Sequence, residues 1–296
     1  MNVIKKRGRT LDAVVNPRNY PPFSKIPDRA AFEAAWKNNP DWIFANMSHA
    51  AYCDAEYLEK LFKNFGATIK FYESKPNELG IIKGRQAFLA IWDDKAILSF
   101  RGTEADERIT IKLRIKYFLP KWLQRIIPSK IEIPFISPDI VDDIKIVPYT
   151  YRDEEGESQV HRGFFKATKE LWPEISEDLE KLDLPDPNQL FVTGHSLGGA
   201  MAVVAGIMYS FKTIVTFGEP RVGNNIENTI EPGCLHIRYV NGIDPVTKIV
   251  PEILFKHHGE LKEIKDVEGP DFRFDHSIIN YAVILESLEN DQIDHT

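Results

Sequence analysis

The feature that most constrains this chain is a glycine-rich turn between two strongly apolar runs. The turn, residues 194–199 (Gly-His-Ser-Leu-Gly-Gly), follows a strand-like run at 190–193 and precedes a helical run that extends to about Tyr209. A wholly apolar strand that passes directly into an apolar helix is typical of a parallel sheet buried on both faces. The sequence therefore predicts an α/β fold with a mostly parallel central sheet and helices on both faces.

Hydrophobic periodicity and turn residues place the other elements around this unit. Residues 1–28 are basic and then proline-rich, and we expect an N-terminal arm that extends over the surface, followed by one domain at 29–296. Asp28 is the expected N-cap of the first helix. The expected helices are 30–36, 42–52, 55–62, 163–182, 196–209 and 277–288, and the expected strands are 68–73, 86–92, 96–101, 144–151, 190–193, 213–217 and 235–240.

Composition excludes several classes of protein. The net charge of -7 over 296 residues argues against non-specific nucleic-acid binding, which favours a basic surface. Two cysteines, Cys53 and Cys234, allow at most one bridge, which excludes a disulfide-dependent scaffold. No run approaches the ~20 apolar residues of a membrane span, and the basic N-terminus lacks a following apolar run. We therefore expect a cytoplasmic protein, with secretion without a recognisable signal peptide as the alternative.

The turn itself carries the pattern Gly-x-Ser-x-Gly around Ser196. On a strand–turn–helix, this pattern is typical of a nucleophile elbow, in which glycines before and after the serine allow close backbone approach. The following helix directs the positive end of its dipole at the site, which favours negative charge there. Ser196 is therefore the candidate nucleophile. The alternative is a glycine-rich turn with a helix-capping serine.

A serine nucleophile needs a base, and the base needs a carboxylate that fixes its tautomer. His276 is the best-placed histidine, because it precedes the final helical run and would lie in the loop that delivers this helix to the sheet. His257 and His258 form the alternative pair. His236 lies within an expected strand, and His295 lies in a polar tail.

Asp244 is the candidate acid. It follows a strand end and an Asn-Gly turn, and the next residue is a proline that stops the strand. The alternative is an aspartate that only forms a turn before proline. Asp275 is adjacent to His276, and neighbouring side chains in a loop rarely align a carboxylate with an imidazole.

An oxyanion hole requires two backbone donors, one after the nucleophile and one from a loop after an earlier strand. Leu197 supplies the first N–H. Thr103, in the loop after the 96–101 strand, supplies the second, with its hydroxyl as a further donor. We expect Arg101 to hold this loop through carboxylate or carbonyl bonds.

The chain resembles the class 3 lipases, a group that includes the fungal triacylglycerol lipases, over residues ~45 to 285. Five elements match in order: 100–104 (Phe-Arg-Gly-Thr-Glu), 160–164 (Val-His-Arg-Gly-Phe), 194–199, 217–224 (Phe-Gly-Glu-Pro-Arg-Val-Gly-Asn), and Asp275-His276 ahead of Tyr281. The resemblance implies an α/β-hydrolase fold with a lid-like insertion. It also implies a catalytic triad of Ser196, Asp244 and His276, with Thr103 and Leu197 at the oxyanion hole.

The activity implied by the resemblance is hydrolysis of carboxylic esters in acylglycerol-type lipids through an acyl-enzyme, without a metal or organic cofactor. A phospholipase A1 or a soluble carboxylesterase would use the same residues. A catalytically silent lipid-binding relative is the alternative from another class. Such a relative usually lacks the Ser, Asp or His, and all three are present here.

A basic and apolar segment follows the oxyanion loop. Residues 108–130 contain seven basic side chains and no acidic one, interleaved with apolar residues. In related lipases this position holds the lid, so we expect a lid-like insertion at about 104–135 that contacts an anionic membrane or a lipid-droplet surface. The alternative is an amphipathic element packed on the domain, with either a strand or a helix period. The candidate contact residues are Lys112, Arg114, Lys116, Trp122 and Arg125.

Overall fold

The computed structural model describes residues 20–74, 84, 86–102, 109–111, 131–133, 147–153, 156–265 and 274–293. Its strands are β1 (Thr68–Glu73), β2 (Gln86–Ile91), β3 (Ala96–Phe100), β4 (Ile109–Ile111), β5 (Ile131–Ile133), β6 (Pro148–Arg152), β7 (Glu157–His161), β8 (Leu190–His195), β9 (Thr213–Phe217), β10 (Gly223–Asn224), β11 (Leu235–Asn241) and β12 (Glu260–Ile264). The α-helices are α1 (Arg29–Asn38), α2 (Pro40–Ala50), α3 (Ala55–Asn64), α4 (Arg162–Glu180), α5 (Leu197–Met208) and α6 (Ile278–Ile293).

The central sheet has the strand order β1-β2-β3-β8-β9-β11-β12. The pairs from β3 through β12 are parallel, and β1 and β2 add an antiparallel edge. This confirms the predicted mostly parallel sheet. The carboxyl ends of β8, β9 and β11 therefore meet at one edge, which is where ligands bind in open α/β sheets.

Helices cover both faces of this sheet, as predicted. Consecutive residues of each strand point to opposite faces. Leu98 and Val192 pack in a buried cluster with α4 and α5, whereas Ile97 and Phe191 pack in a second cluster with α1, α2, α3 and α6. In the described part of the chain, no helix is long and apolar enough to cross a membrane.

Among the strands that periodicity did not predict are β7 and β12. Their sequences, Glu-Ser-Gln-Val-His and Glu-Leu-Lys-Glu-Ile, are largely polar and partly exposed. β12 forms the sheet edge beside β11, and β7 lies in a smaller sheet of order β10-β7-β6. The apolar signal is weak in both because one side of each strand faces away from the core. In the predicted lid segment, residues 109–111 form β4, which pairs with β5.

The end of the predicted N-terminal arm differs from the expectation. Phe23 is only 1% exposed, and its ring packs edge-on against Trp42, Phe62 and Phe65. Its backbone N–H donates to Asn46 Oδ1 at 2.9 Å. The expectation of a surface arm is therefore wrong for this part of residues 1–28, while residues 1–19 lie outside the described part. Basic and proline-rich composition does not reveal that one aromatic residue anchors the segment.

His161 begins α4 and is fully buried. Its Nδ1 accepts a hydrogen bond from the Gly163 N–H at 3.2 Å, and its ring stacks on Phe164 with centroids 4.2 Å apart. Burial lowers the pKa of His161 from 6.5 to about 4, because the charged imidazolium cannot be solvated there. The neutral ring is thus required for both the helix cap and the packing.

The depressed pKa of His161 predicts a pH-dependent stability. The unfolded chain takes up this proton near pH 6.5 and the folded chain near pH 4, so the contribution is complete above pH 6.5 and is lost as pH falls through that window. The loss amounts to about 3 kcal/mol. His161→Asn keeps a capping oxygen but does not titrate. Denaturant unfolding between pH 4.5 and 7.5 should show a shallower pH slope for this variant; parallel slopes would contradict the prediction.

Candidate active site

Ser196 occupies the turn between β8 and α5 in a strained conformation. Its φ of 59° and ψ of -126° lie in a region that non-glycine residues rarely adopt. A Cβ at Gly194 would collide with the Gly198 carbonyl, and a Cβ at Gly198 with the Phe100 carbonyl. The two glycines therefore allow the strand, the turn and the helix to pack closely enough to present the serine hydroxyl above the sheet edge.

The structure brings the three predicted side chains together. His276 Nε2 lies 3.0 Å from Ser196 Oγ, and His276 Nδ1 lies 3.0 and 2.9 Å from the two oxygens of Asp244. Because Asp244 is a carboxylate that can only accept, the ring hydrogen lies on Nδ1. Nε2 is then free to accept the serine proton. The arrangement is that of a serine activated by a histidine whose tautomer is fixed by a buried acid.

Asp244 is fully buried, and its charge is compensated by hydrogen bonds. Besides His276, it accepts the Val246 N–H at Oδ1, 2.9 Å away, and the Tyr281 hydroxyl at Oδ2, 2.7 Å away. The Tyr281 hydroxyl in turn accepts the Asn241 N–H at 3.0 Å. Burial first, and then the Asp244 charge, raise the pKa of Tyr281 well above its ordinary value. The hydroxyl therefore stays protonated and donates to the acid. Sequence reasoning assigned no role to Tyr281.

Asp275 does not orient the base. This agrees with the expectation that a residue adjacent to His276 rarely aligns its carboxylate with the imidazole. Its Oδ2 accepts the Ile243 N–H at 2.9 Å, and its carbonyl accepts from Asn241 Nδ2 at 3.2 Å. Gly242, with φ of 49°, lies so close that a Cβ there would collide with the same carboxylate. Asp275 thus holds the turn between β11 and Asp244, which ties the acid to the loop that carries the base.

The main chain of His276 is held by a second histidine. The carbonyl of His276 accepts the Nε2–H of His195 at 2.7 Å, and His195 Nδ1 accepts the Tyr52 hydroxyl at 2.8 Å. Complete burial, followed by the nearby His276, lowers the pKa of His195 well below its ordinary value, although the bond to His276 opposes this. The neutral ring therefore connects Tyr52, just after α2, to the base.

The Phe-Gly-Glu-Pro element at the end of β9 (residues 217–220) has a structural role at the site. Gly218 has φ of 59°, and a Cβ there would lie 2.5 Å from Asp244 Oδ2 and 3.0 Å from His276 Nδ1. A larger residue at this position would displace the acid or the base. The backbone of Gly218 therefore forms the wall behind their hydrogen bond.

The alternative histidines lie elsewhere. His257 Nε2 is 2.8 Å from the Thr247 carbonyl, and His258 Nε2 is 3.1 Å from the Gly223 carbonyl. His236 Nε2 is 3.3 Å from Glu219. His295 lies outside the described residues. Of the histidines that the structure describes downstream of Ser196, it brings only His276 to the serine.

The oxyanion-hole prediction is only partly covered by the described residues. Leu197 is the first residue of α5, so its N–H lies beside Ser196 at the positive end of the helix dipole. Gly102 lies close to the serine, since a Cβ there would be 3.1 Å from Ser196 Cβ. Thr103, the next residue, lies outside the described residues, as do the predicted contact residues Lys112, Arg114, Lys116, Trp122 and Arg125. Arg101 donates to the Gln86 side chain and the Gly84 carbonyl, as expected of a loop anchor.

Comparison with known proteins agrees with this geometry. Residues 137–254 match the family described as Lipase (class 3), a stretch that contains Ser196 and Asp244. Toxin TseL of Vibrio cholerae is 29% identical over 184 residues, which cover 56% of this chain and 28% of the relative. Secreted mono- and diacylglycerol lipase 1 of Fusarium solani is 35% identical over 108 residues, 33% of this chain and 32% of the relative.

Among solved structures, the Rhizomucor miehei lipase propeptide complex superposes with a TM-score of 0.50 at 18% identity, over 82% of this chain and 77% of that one. This likeness shows the fold. The two curated relatives are matched over about a third of their length or less, so their activities do not transfer as wholes. The family match over residues 137–254 makes this part of the chain similar to the class 3 lipases, and the chain has the α/β fold of the Rhizomucor structure.

Proposed function

We propose that this chain is a serine hydrolase that cleaves carboxylic ester bonds of acylglycerol-type lipids through an acyl-enzyme on Ser196. The observation that carries the proposal is His276, whose ring joins Ser196 Oγ and Asp244 with three contacts of 2.9 to 3.0 Å. A bare Nε2 at this distance from a serine hydroxyl is placed for general-base catalysis. The Fusarium relative named above supports the acylglycerol class of substrate.

In the proposed reaction, Ser196 Oγ attacks the ester carbonyl while its proton passes to His276 Nε2. Asp244 stabilises the resulting imidazolium. The N–H groups of Leu197 and Thr103 bind the oxyanion. His276 then protonates the leaving alcohol as the ester C–O bond breaks, which leaves the acyl-enzyme. Water attacks this ester, again with His276 as base, and releases the carboxylic acid.

The proposal also includes a route by which the ester substrate reaches Ser196 Oγ. Ser196 is only 1% exposed, which supports a reaction in which part of the chain moves to admit an acyl ester. The lid-like insertion expected at about 104–135 is the segment that we propose to move. Its basic and apolar sequence suits an anionic lipid surface, where each cation contributes about 1 kcal/mol. In this proposal the protein contacts such a surface peripherally.

Ser196→Ala should abolish hydrolysis of a short acyl ester, with a loss of about 10⁴-fold or more, because no other group forms the acyl-enzyme. A fluorophosphonate should label wild type and not this variant. Ser176→Ala, which changes a partly exposed serine on α4, is the matched control and should retain activity and labelling. Activity above a few per cent in Ser196→Ala would end the assignment.

Profiling wild type on acylglycerols, phospholipids and soluble esters separates a lipase from a phospholipase A1 or a carboxylesterase.

Tyr281→Phe should lower kcat about 10-fold with little change in KM, because Asp244 loses a donor and the Asn241 N–H loses its acceptor. Tyr239→Phe is the control, since the Tyr239 hydroxyl donates to Asp41 without contact to the site. Steady-state kinetics of both variants check this. An equal loss of kcat in both would show that the effect arises from the fold and not from the acid.

The lid assignment predicts selective loss of membrane binding. Replacing Lys112, Arg114, Lys116 and Arg125 by Gln should weaken partitioning onto anionic vesicles by about 10²-fold or more, at about 1 kcal/mol per cation. Binding to zwitterionic vesicles should change little. The control replaces four exposed lysines on α3 and α4 and has the same net charge: Lys60, Lys63, Lys166 and Lys169. Equal weakening in both quadruple variants would contradict a specific role of the insertion.

A further inference from the structure

A buried polar cluster lies next to the acid loop (residues 244–247). Glu219, at the end of β9, is 1% exposed, and its carboxylate accepts hydrogen bonds from the Thr216 hydroxyl and from His236 Nε2. Arg238, on β11, is also buried and interacts electrostatically with it. His257 Nδ1 lies 3.9 Å from Glu219 Oε1. The reaction proposed above uses none of these side chains.

Glu219 is an ionised anchor. Burial by itself would raise the pKa of this carboxyl, but the nearby His236, which also hydrogen-bonds it, and Arg238 outweigh burial and lower the pKa below its ordinary value. Gly218, the preceding residue, forms the wall behind Asp244 and His276. The anchor is therefore built directly into the strand end that shapes the site.

His257 lies between Glu219 and the acid loop. Its Nε2 lies 2.8 Å from the Thr247 carbonyl, and because a carbonyl only accepts, the ring must donate Nε2–H. The Thr247 hydroxyl donates to the Asp244 carbonyl at 2.9 Å, and the Val246 N–H donates to the Asp244 carboxylate at 2.9 Å. Hydrogen bonds thus run from the His257 ring to Thr247, and from Thr247 and Val246 to Asp244, while the Glu219 carboxylate lies 3.9 Å from the far side of the ring.

We propose that His257 is a positioning residue: through its hydrogen bond to the Thr247 carbonyl it fixes the acid loop so that the Asp244 carboxylate meets His276 Nδ1. The role acts through Thr247 and involves no contact with substrate. It rests on the proposed function, because it concerns the acid of the same site. Catalytic hydrogen bonds lose effectiveness steeply with misplacement of even 1 Å, which is why a support outside the triad matters for rate.

His258 provides a matched internal control. Like His257, it places Nε2 on a main-chain carbonyl, that of Gly223, and Nδ1 near a carboxylate, that of Glu227 at 2.8 Å. The side chains of His257 and His258 are 16% and 14% exposed. The two adjacent histidines thus differ chiefly in the carbonyl that each ring contacts, and only the one bound by His257 belongs to the acid loop.

The test compares His257→Leu with His258→Leu, with active sites counted by fluorophosphonate labelling so that only folded protein contributes to kcat. His257→Leu should lower kcat 10-fold or more with KM within about 2-fold, since the acid loop loses a buried hydrogen bond. His258→Leu should retain kcat within about 2-fold. His257→Gln, whose amide can donate to the Thr247 carbonyl, should recover much of the rate.

A second measurement reports positioning directly. The hydrogen bond between His276 Nδ1 and Asp244 should give a low-field proton resonance that shifts or broadens in His257→Leu and in Thr247→Val but not in His258→Leu. Equal kcat loss in the two leucine variants, or an unchanged resonance in His257→Leu, overturns the inference. If wild type neither hydrolyses esters nor is labelled, the proposed function fails instead, and the resonance still tests the role of His257. If His257→Leu does not fold, His257→Gln and Thr247→Val decide the matter on the same two readouts.

Discussion

The structure depends most on the burial of one negative charge, the Asp244 carboxylate. An isolated carboxylate inside a protein is prohibitively costly unless hydrogen bonds replace the water that it loses. Here the imidazole of His276, the Val246 N–H and the Tyr281 hydroxyl supply them. These donors come from the acid loop, the base loop and α6, so the charge couples three separate segments. The position of each segment therefore depends on the other two. The Asp244 carboxylate holds His276, and His276 in turn meets Ser196.

Around this charge, several features serve the same geometry from different directions. The strained Ser196 raises its hydroxyl above the sheet edge, and Gly218 allows the acid and the base to approach the backbone. On one side, Tyr52 and His195 hold the carbonyl of His276. On the other, His257, whose Nδ1 lies 3.9 Å from Glu219, donates to the Thr247 carbonyl of the acid loop. His195 is neutral and hydrogen bonds compensate the charge of Glu219, so both groups are stable away from water.

Much of the fold was predictable, for an identifiable reason. Strands buried on both faces read as continuous apolar runs, so β3, β8 and β9 were placed within a few residues of their bounds. β7 and β12 are short, polar and partly exposed, so periodicity did not detect them. The burial of Phe23 was missed because a single aromatic anchor has no period. Likewise, the supports Tyr281 and His257 carry no local motif, since their partners lie many residues away.

The sequence by itself determined the order of the elements, the nucleophile turn and the choice of Ser196, because strand, turn and helix chemistry are local. It also narrowed the base and the acid to a few positions. Only the tertiary structure decided among them. His276 reaches Ser196 while His257 and His258 bind other carbonyls, and Asp275 holds a turn while Asp244 meets the imidazole. These distinctions depend on where parallel strand ends converge, and sheet packing brings together segments 80 residues apart in the chain.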